Sequence, residues 1–362
     1  MHGFAQRIDG ARKALGESNI DALVLVDPSN IFYLTGVRFN FQSMDIQIGV
    51  WQSVIVSKEN CWLIVYEKAK SLAEKVTGVE IKEYSSHNGA FSSIASGLAA
   101  AHSVGVEHTL PMFLCQEMQR VLPSLRIVEG GDIIARMRMK KTDDELAILK
   151  RAERIAMSGM SAAVKAVRPG ARETEIAAAA DRTMWEEGAQ DLAFATKVAS
   201  GKRAGTLSSL ATKRRISSND AVIVDLGCVY RGYSSDLTRT VCVGRLSKPL
   251  QVAREAVVQT RREILHELKA GASLASLGEQ VTRAFSSRGL NFAVYHPSHG
   301  IGIDVVEPPT LSRYENEPLD SGTALMLEFG INLPEKGGYG FEDLLFFSSK
   351  EVEIVSRNLS VE

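Results

Sequence analysis

"VDLGCVYRGYSSD", residues 224–236, reads as two short strands folded back at a turn, with an aspartate near each outer end. Pairing the strands about Tyr230-Arg231 sets Asp225 opposite Asp236. Cross-strand partners stand about 4.5–5.5 Å apart at Cβ, and like charges placed there destabilise a sheet. A bound cation reverses the sign of that interaction, because its charge inverts the local electrostatics. The plainer alternative is a turn whose aspartates enter salt bridges.

If a cation sits here, further hard oxygen and imidazole ligands should follow downstream. "SHGIGI" (298–303) offers His299 between small residues. "ALMLEFG" (324–330) and "GYGFEDLLFF" (338–347) place Glu328 and Glu342 inside apolar strands. A buried glutamate in such a strand is costly unless paired or metal-bound. Singly, each has a simpler reading: arginine partners for the glutamates, a hydrogen-bonded core position for the histidine. Five such groups in order point instead to one metal site.

The rest of the chain supplies a frame for that site. Its 362 residues exceed what one core usually serves, so two domains are expected. Hydrophobic residues are 45% and charged residues 23%, an ordinary globular balance. A net charge of −1 without a basic block gives no reason to expect nucleic acid or an anionic membrane as partner. No run of about 18 apolar residues and no signal-peptide pattern is present, so the location expected is cytoplasmic. Cys61, Cys115, Cys228 and Cys242 form no CxxC pair and read as structural thiols.

The first third alternates helical stretches with the strand patterns "DALVLVD" (21–27), "VWQSVIV" (50–56) and "CWLIVY" (61–66), which predicts an α/β layer domain. "RMRMKKTDDELAILKRAERIAMSGMSAAVKAVRPG" then reads as one long amphipathic helix, with Thr142 and Glu145 as a capping box. The domain boundary is expected near residue 135. Beyond 191 strands dominate, broken by helices around 249–269 and 273–288.

In these motifs the chain resembles the pita-bread metallohydrolases, a family that includes aminopeptidase P, prolidase, methionine aminopeptidase and the non-peptidase creatinase. "RIDGARKALGESNIDALVLVDPSNIFYLTG" is similar to the start of the creatinase/prolidase N-terminal domain. "VDLGCVYRGYSSDLTRT", "SHGIGIDVVEPP", "LEFG" and "FEDLLFF" match the metal-site motifs in order. The resemblance implies an α/β N-terminal domain (1–135) and an α+β pita-bread catalytic domain (136–362). It implies two divalent ions, manganese, cobalt, zinc or iron. Asp225 would bind one, Asp236 and Glu342 would bridge both, and His299 and Glu328 would complete the second site. Glu328 would also shuttle protons, and Thr238 would support the shell around Asp236. A homodimer is implied, in which one subunit's N-terminal domain covers its partner's site; residues 38–52 are a candidate cover, or equally a loop running into a core strand.

The substrate-handling histidines of the proline-directed peptidases are missing. Their positions fall at Val306, at Tyr295 with His296 one place off, and near Ser208. Losing such a donor costs on the order of 3 kcal/mol of transition-state stabilisation. The Tyr295 hydroxyl and His296 are the candidate replacements. Three readings follow: a metal-dependent hydrolase of a C–N bond in a dipeptide or amide; a non-peptidase acting on a small metabolite, in a polar pocket to which Arg203, Tyr295 and Glu307 contribute; and a binding protein that holds no metal.

Overall fold

The structure, a computed structural model, describes residues 3–39, 51–74, 76–206, 209–290, 294–295 and 297–357. Most of the candidate cover, residues 40–50, lies outside them, as do Ser208 and His296. The chain divides into two compact units, Met1–Arg138 and Met139–Glu362. No helix among the described residues is long and apolar enough to cross a membrane.

The first unit is the expected α/β domain. Six strands, β1 (Ala22–Leu25), β2 (Ser53–Ser57), β3 (Cys61–Tyr66), β4 (Glu80–Tyr84), β5 (Ser103–Val106) and β6 (Arg126–Glu129), form a mixed sheet in the order β4-β3-β2-β1-β5-β6. The central strand "ALVL" is buried at every position, the continuous apolar run expected of a strand covered on both faces. A helix not anticipated from periodicity, Pro28–Thr35, is set by its ends. The Asp27 side chain accepts from the Ser29 and Asn30 amides, Pro28 occupies the first turn, and Gly36 closes the helix at φ 73°.

The expected single long helix is two: Gly131–Met139, at the end of the first unit, stops before the cap, and Asp143–Ala166 begins after it in the second unit. Thr142 accepts from the Glu145 amide while the Glu145 carboxylate accepts from the Thr142 amide, so the capping box marks a true start. Eleven strands follow. β7 (Asp191–Leu192), β10 (Cys228–Tyr230) and β11 (Tyr233–Ser234) make one small sheet; β8 (Lys197–Ser200), β9 (Ala221–Leu226) and β12 (Leu237–Cys242) make another. β13 (Val294–Tyr295), β14 (His299–Gly300), β15 (Ala324–Leu333), β16 (Gly337–Phe347) and β17 (Val352–Ile354) make the third, and all pairings in this unit are antiparallel.

Alternation along the strands sorts the side chains onto two faces. From β15, Leu325, Leu327, Phe329 and Ile331 pack against helices Lys248–Glu267 and Leu274–Ser286. Val198 of β8, Val222, Val224 and Leu226 of β9 and Leu237 of β12 pack with residues of helices Asp143–Ala166 and Glu173–Glu186. The opposite faces, freed from the helices, line one cavity. Two hydrogen bonds between Thr240 Oγ1 and the backbone of Gly340 stitch β12 to β16 across that face.

Candidate metal centre

The hairpin of residues 224–236 turns one residue later than expected. Its centre is Arg231-Gly232, with φ 50° and 84°, a two-residue turn that needs left-handed backbone at both positions. Glycine meets that need at 232, whereas a turn on Tyr230-Arg231 would force a tyrosine into it. Asp225 therefore pairs with Thr238, not Asp236. Moving the turn by one residue slips the pairing by two, so the face is kept: Asp225 and Asp236 are diagonal neighbours on the cavity side.

A cavity of about 600 Å³ collects Asp225, Asp236, His299, Glu328 and Glu342 on its wall, with Lys197, Thr238, Tyr295, Val306 and Asn332. Asp225, Glu328 and Glu342 arrive by strand alternation, Asp236 lies just before β12, and Glu328 and Glu342 are direct partners in the β15–β16 register. His299 Nε2 lies 3.5 Å from Glu342 Oε1 and 3.8 Å from Asp236 Oδ2. Ligand atoms of Asp236, His299 and Glu342 all fall within 4.8 Å of one another. His299 Nδ1 stands 2.9 Å from the Gly300 carbonyl, so the hydrogen belongs on Nδ1 and the lone pair on Nε2 faces the carboxylates.

Electrostatically the cluster is unfinished by protein alone. Burial, then Glu342 and Asp225, hold Asp236 well above the usual carboxylate range; burial, then Glu328 and Asp225, do the same to Glu342. Burial and the Asp225 charge push Glu328 up to about 7. Asp225 Oδ1, Asp236 Oδ1 and Glu342 Oε1 are buried without a hydrogen-bond partner. Partnerless carboxylate oxygens around an aimed imidazole fit a divalent cation.

The other named residues divide. Tyr295 pairs with Gly330 across β13–β15, and its ring lies over the glycine pair Gly330 and Gly340. A Cβ added at Gly340 would come within 2.1 Å of the Tyr295 hydroxyl, and one at Gly330 within 2.5 Å. Burial and the nearby Glu328, Asp225 and Glu342 carboxylates raise the phenol, so it stays an O–H donor. Thr238 donates to Glu342 Oε2 at 3.2 Å, which corrects the expectation that it serves Asp236. Arg203 and Glu307 do not line the cavity: Arg203 is held by the fully buried Glu173 and donates to the Leu210 carbonyl at 2.7 Å, while Glu307 pairs with Lys141 at 2.8 Å in the interior. Both charges are already neutralised by closer partners. Val306 is at the cavity wall, 57% exposed, with no polar group to offer. The Cys228 thiol is buried and pushed up to about 11, in keeping with a structural role.

Two residues were not singled out from sequence. Ser298 Oγ donates to the Glu328 carbonyl and accepts from the Glu328 amide, both at 3.0 Å, which fixes β14 against β15 beside the ligands. Lys197 stands directly opposite Asp225 in the β8–β9 register, with Nζ 2.7 Å from Asp225 Oδ2. A lysine inside the otherwise uncharged "FATKVAS" was the signal for it.

The wider comparisons agree with this geometry. The family model described as metallopeptidase family M24 matches residues 147–348, and that of the creatinase/prolidase N-terminal domain matches residues 7–140. The Xaa-Pro dipeptidase of Pyrococcus horikoshii is 26% identical over 349 residues, covering 95% of this chain and 96% of its own; that of Pyrococcus furiosus is 26% identical, with 95% of each chain covered. The solved prolidase from Pyrococcus horikoshii superposes with a TM-score of 0.89 at 25% identity, over 97% of this chain and 98% of that one. With both domains matched in order and the acid-rich cavity lined from within residues 147–348, this chain belongs to metallopeptidase family M24.

Proposed function

We propose that this protein is a divalent-metal-dependent hydrolase that cleaves the C–N bond of an Xaa-Pro dipeptide or a closely similar small amide. The observation that carries the reading is the set of orphaned carboxylate oxygens around His299 Nε2 at the floor of one cavity. Asp236, His299 and Glu342 would hold one ion; Asp225, sharing Asp236 and Glu342, would hold a second, with Glu328 completing the set. Bound cations supply Lewis acidity, polarising a carbonyl and making water nucleophilic at neutral pH.

The chain's own residues supply the rest. Glu328, on the wall and held by Ser298 through its backbone, would take a proton from the attacking water and pass it to the leaving nitrogen. Tyr295 donates its hydroxyl to the oxygen on which charge develops, the part otherwise played by the absent histidines. A cavity of about 600 Å³ suits a dipeptide-sized ligand.

Val306 favours a second reading, in which the same metal centre serves a small non-peptide metabolite with fewer donor requirements. Metal content of the purified protein, followed by Mn²⁺-supplemented hydrolysis of Gly-Pro, Ala-Pro, an Xaa-Pro-Xaa tripeptide, creatine and ectoine, separates them. Turnover of a prolyl dipeptide supports the first reading. Bound metal with turnover of creatine or ectoine alone supports the second, and a chain that binds no metal is neither. A cytoplasmic homodimer is part of the same proposal; light scattering checks the dimer and cell fractionation the location.

A further inference from the structure

The charge demand of the cavity is met unequally. Lys197 is the cross-strand partner of Asp225, on the lining face of β8, and its ammonium is 2.7 Å from Asp225 Oδ2. The same ammonium lies over the Phe194 ring, 4.6 Å from its centroid. Asp236 and Glu342 have only His299 as an ion-pairing partner among the described residues. One half of the ligand set thus carries a cation from the chain itself, and the other half does not.

We propose that Lys197 is a built-in counter-ion that competes with the second divalent ion for Asp225, so that the two ions load in order and with different affinity. The inference rests on the metal-centre reading above. The first ion settles among Asp236, His299 and Glu342, where no ammonium stands. The second must displace Lys197 Nζ from Asp225 and then tolerate its charge nearby. Lysine suits such a role, because a flexible four-carbon stem lets the point charge swing out. Its side chain is 31% exposed, so a route to solvent is open. At low metal supply the protein is then a one-ion form with an ammonium in the cavity.

The test is a Mn²⁺ titration of chelator-stripped full-length protein, read by the electron paramagnetic resonance of free and bound Mn²⁺ and by elemental analysis. Wild type should bind in two steps, the second weaker by about tenfold or more. Lys197→Met should tighten the second step by about tenfold while leaving the first unchanged, and spin-coupled pairs should appear at lower Mn²⁺. Lys197→Arg should keep the gap. Lys197→Gln repeats the measurement if the methionine variant melts early. Two ions binding wild type in one step, or an undiminished gap in the methionine and glutamine variants, overturns the proposal. Absence of Mn²⁺ binding in all forms overturns the metal-centre reading itself, a result distinguishable from the other two.

Discussion

Glu342 and Asp343 are neighbours in β16, yet their carboxylates live on opposite faces of the sheet. Glu342 looks into the cavity, where one oxygen has no partner. Asp343 looks toward the helices, where Arg239 Nη2 and Arg261 Nε each lie 2.7 Å away and Ser356 Oγ 2.9 Å. The arginines that could have neutralised the cavity glutamates are spent on the next residue along. Arg239 also donates to the Thr238 carbonyl at 2.9 Å, so the same guanidinium props β12 and β16 from behind.

Opposite stability effects should therefore come from adjacent positions. Asp343→Ala strips a buried guanidinium of its partner and should cost about 3–5 kcal/mol. Glu342→Gln, measured without metal, replaces a carboxyl whose anion burial and its neighbours already disfavour, and should leave the melting temperature equal or higher. Thermal melts of both variants in chelator check this pair. A Glu342→Gln protein that is as unstable as Asp343→Ala would mean that Glu342 has a structural cation already.

Tyr295 and Gly340 should behave as a unit. Tyr295→Phe removes only a hydroxyl, so metal binding should be kept while turnover of a prolyl dipeptide falls by about a hundredfold. Gly340→Ala sets a methyl where the hydroxyl now lies and should cost about 1–3 kcal/mol as the ring is forced aside. Steady-state kinetics and melts on the two variants separate the effects. Unchanged turnover in Tyr295→Phe would remove the tyrosine from the mechanism.

Much of this is legible in the sequence. Five ligand candidates stood in sequence because hard acids inside apolar strands are conspicuous, and the cap at Thr142 marked a helix start. The turn at Arg231-Gly232 was misplaced by one residue because strand alternation alone tolerates a two-residue slip. Arg203 and Glu307 are candidates for a polar pocket on sequence, but Glu173 and Lys141, far off in sequence, take up their charges. Lys197 escaped notice for the converse reason: a lone lysine in a strand reads as solvent-facing until register sets it against Asp225.

Metal removal should be felt as a loss of stability. A ligand at a hundred times its dissociation constant stabilises the folded chain by about 2.7 kcal/mol. Mn²⁺ should raise the wild-type melting temperature, and Asp236→Ala and His299→Ala should abolish the rise together with the bound metal. A rise preserved in both variants would place the ion elsewhere.

The N-terminal unit carries its own pH dependence, through Glu107 at the end of β5. Its Oε2 accepts from the Val26 and Asp27 amides at 2.8 and 3.0 Å, and Oε1 from Asn30 Nδ2 at 2.6 Å. These donors favour the anion, but burial outweighs them and, with the Asp27 charge adding to it, pushes the carboxyl up to about 7 from 4.5. Between those values the folded chain keeps a proton that the unfolded chain has released. The contribution is thus fully present below about pH 4.5 and is lost as pH rises through about 7, a change of about 3 kcal/mol. Glu107→Gln has nothing to titrate and should flatten that fall. Melting curves of both proteins from pH 5 to about 8, with chelator present so that metal loading does not enter, provide the check. Parallel curves would show that Glu107 ionises in the folded chain much as it does in the unfolded one.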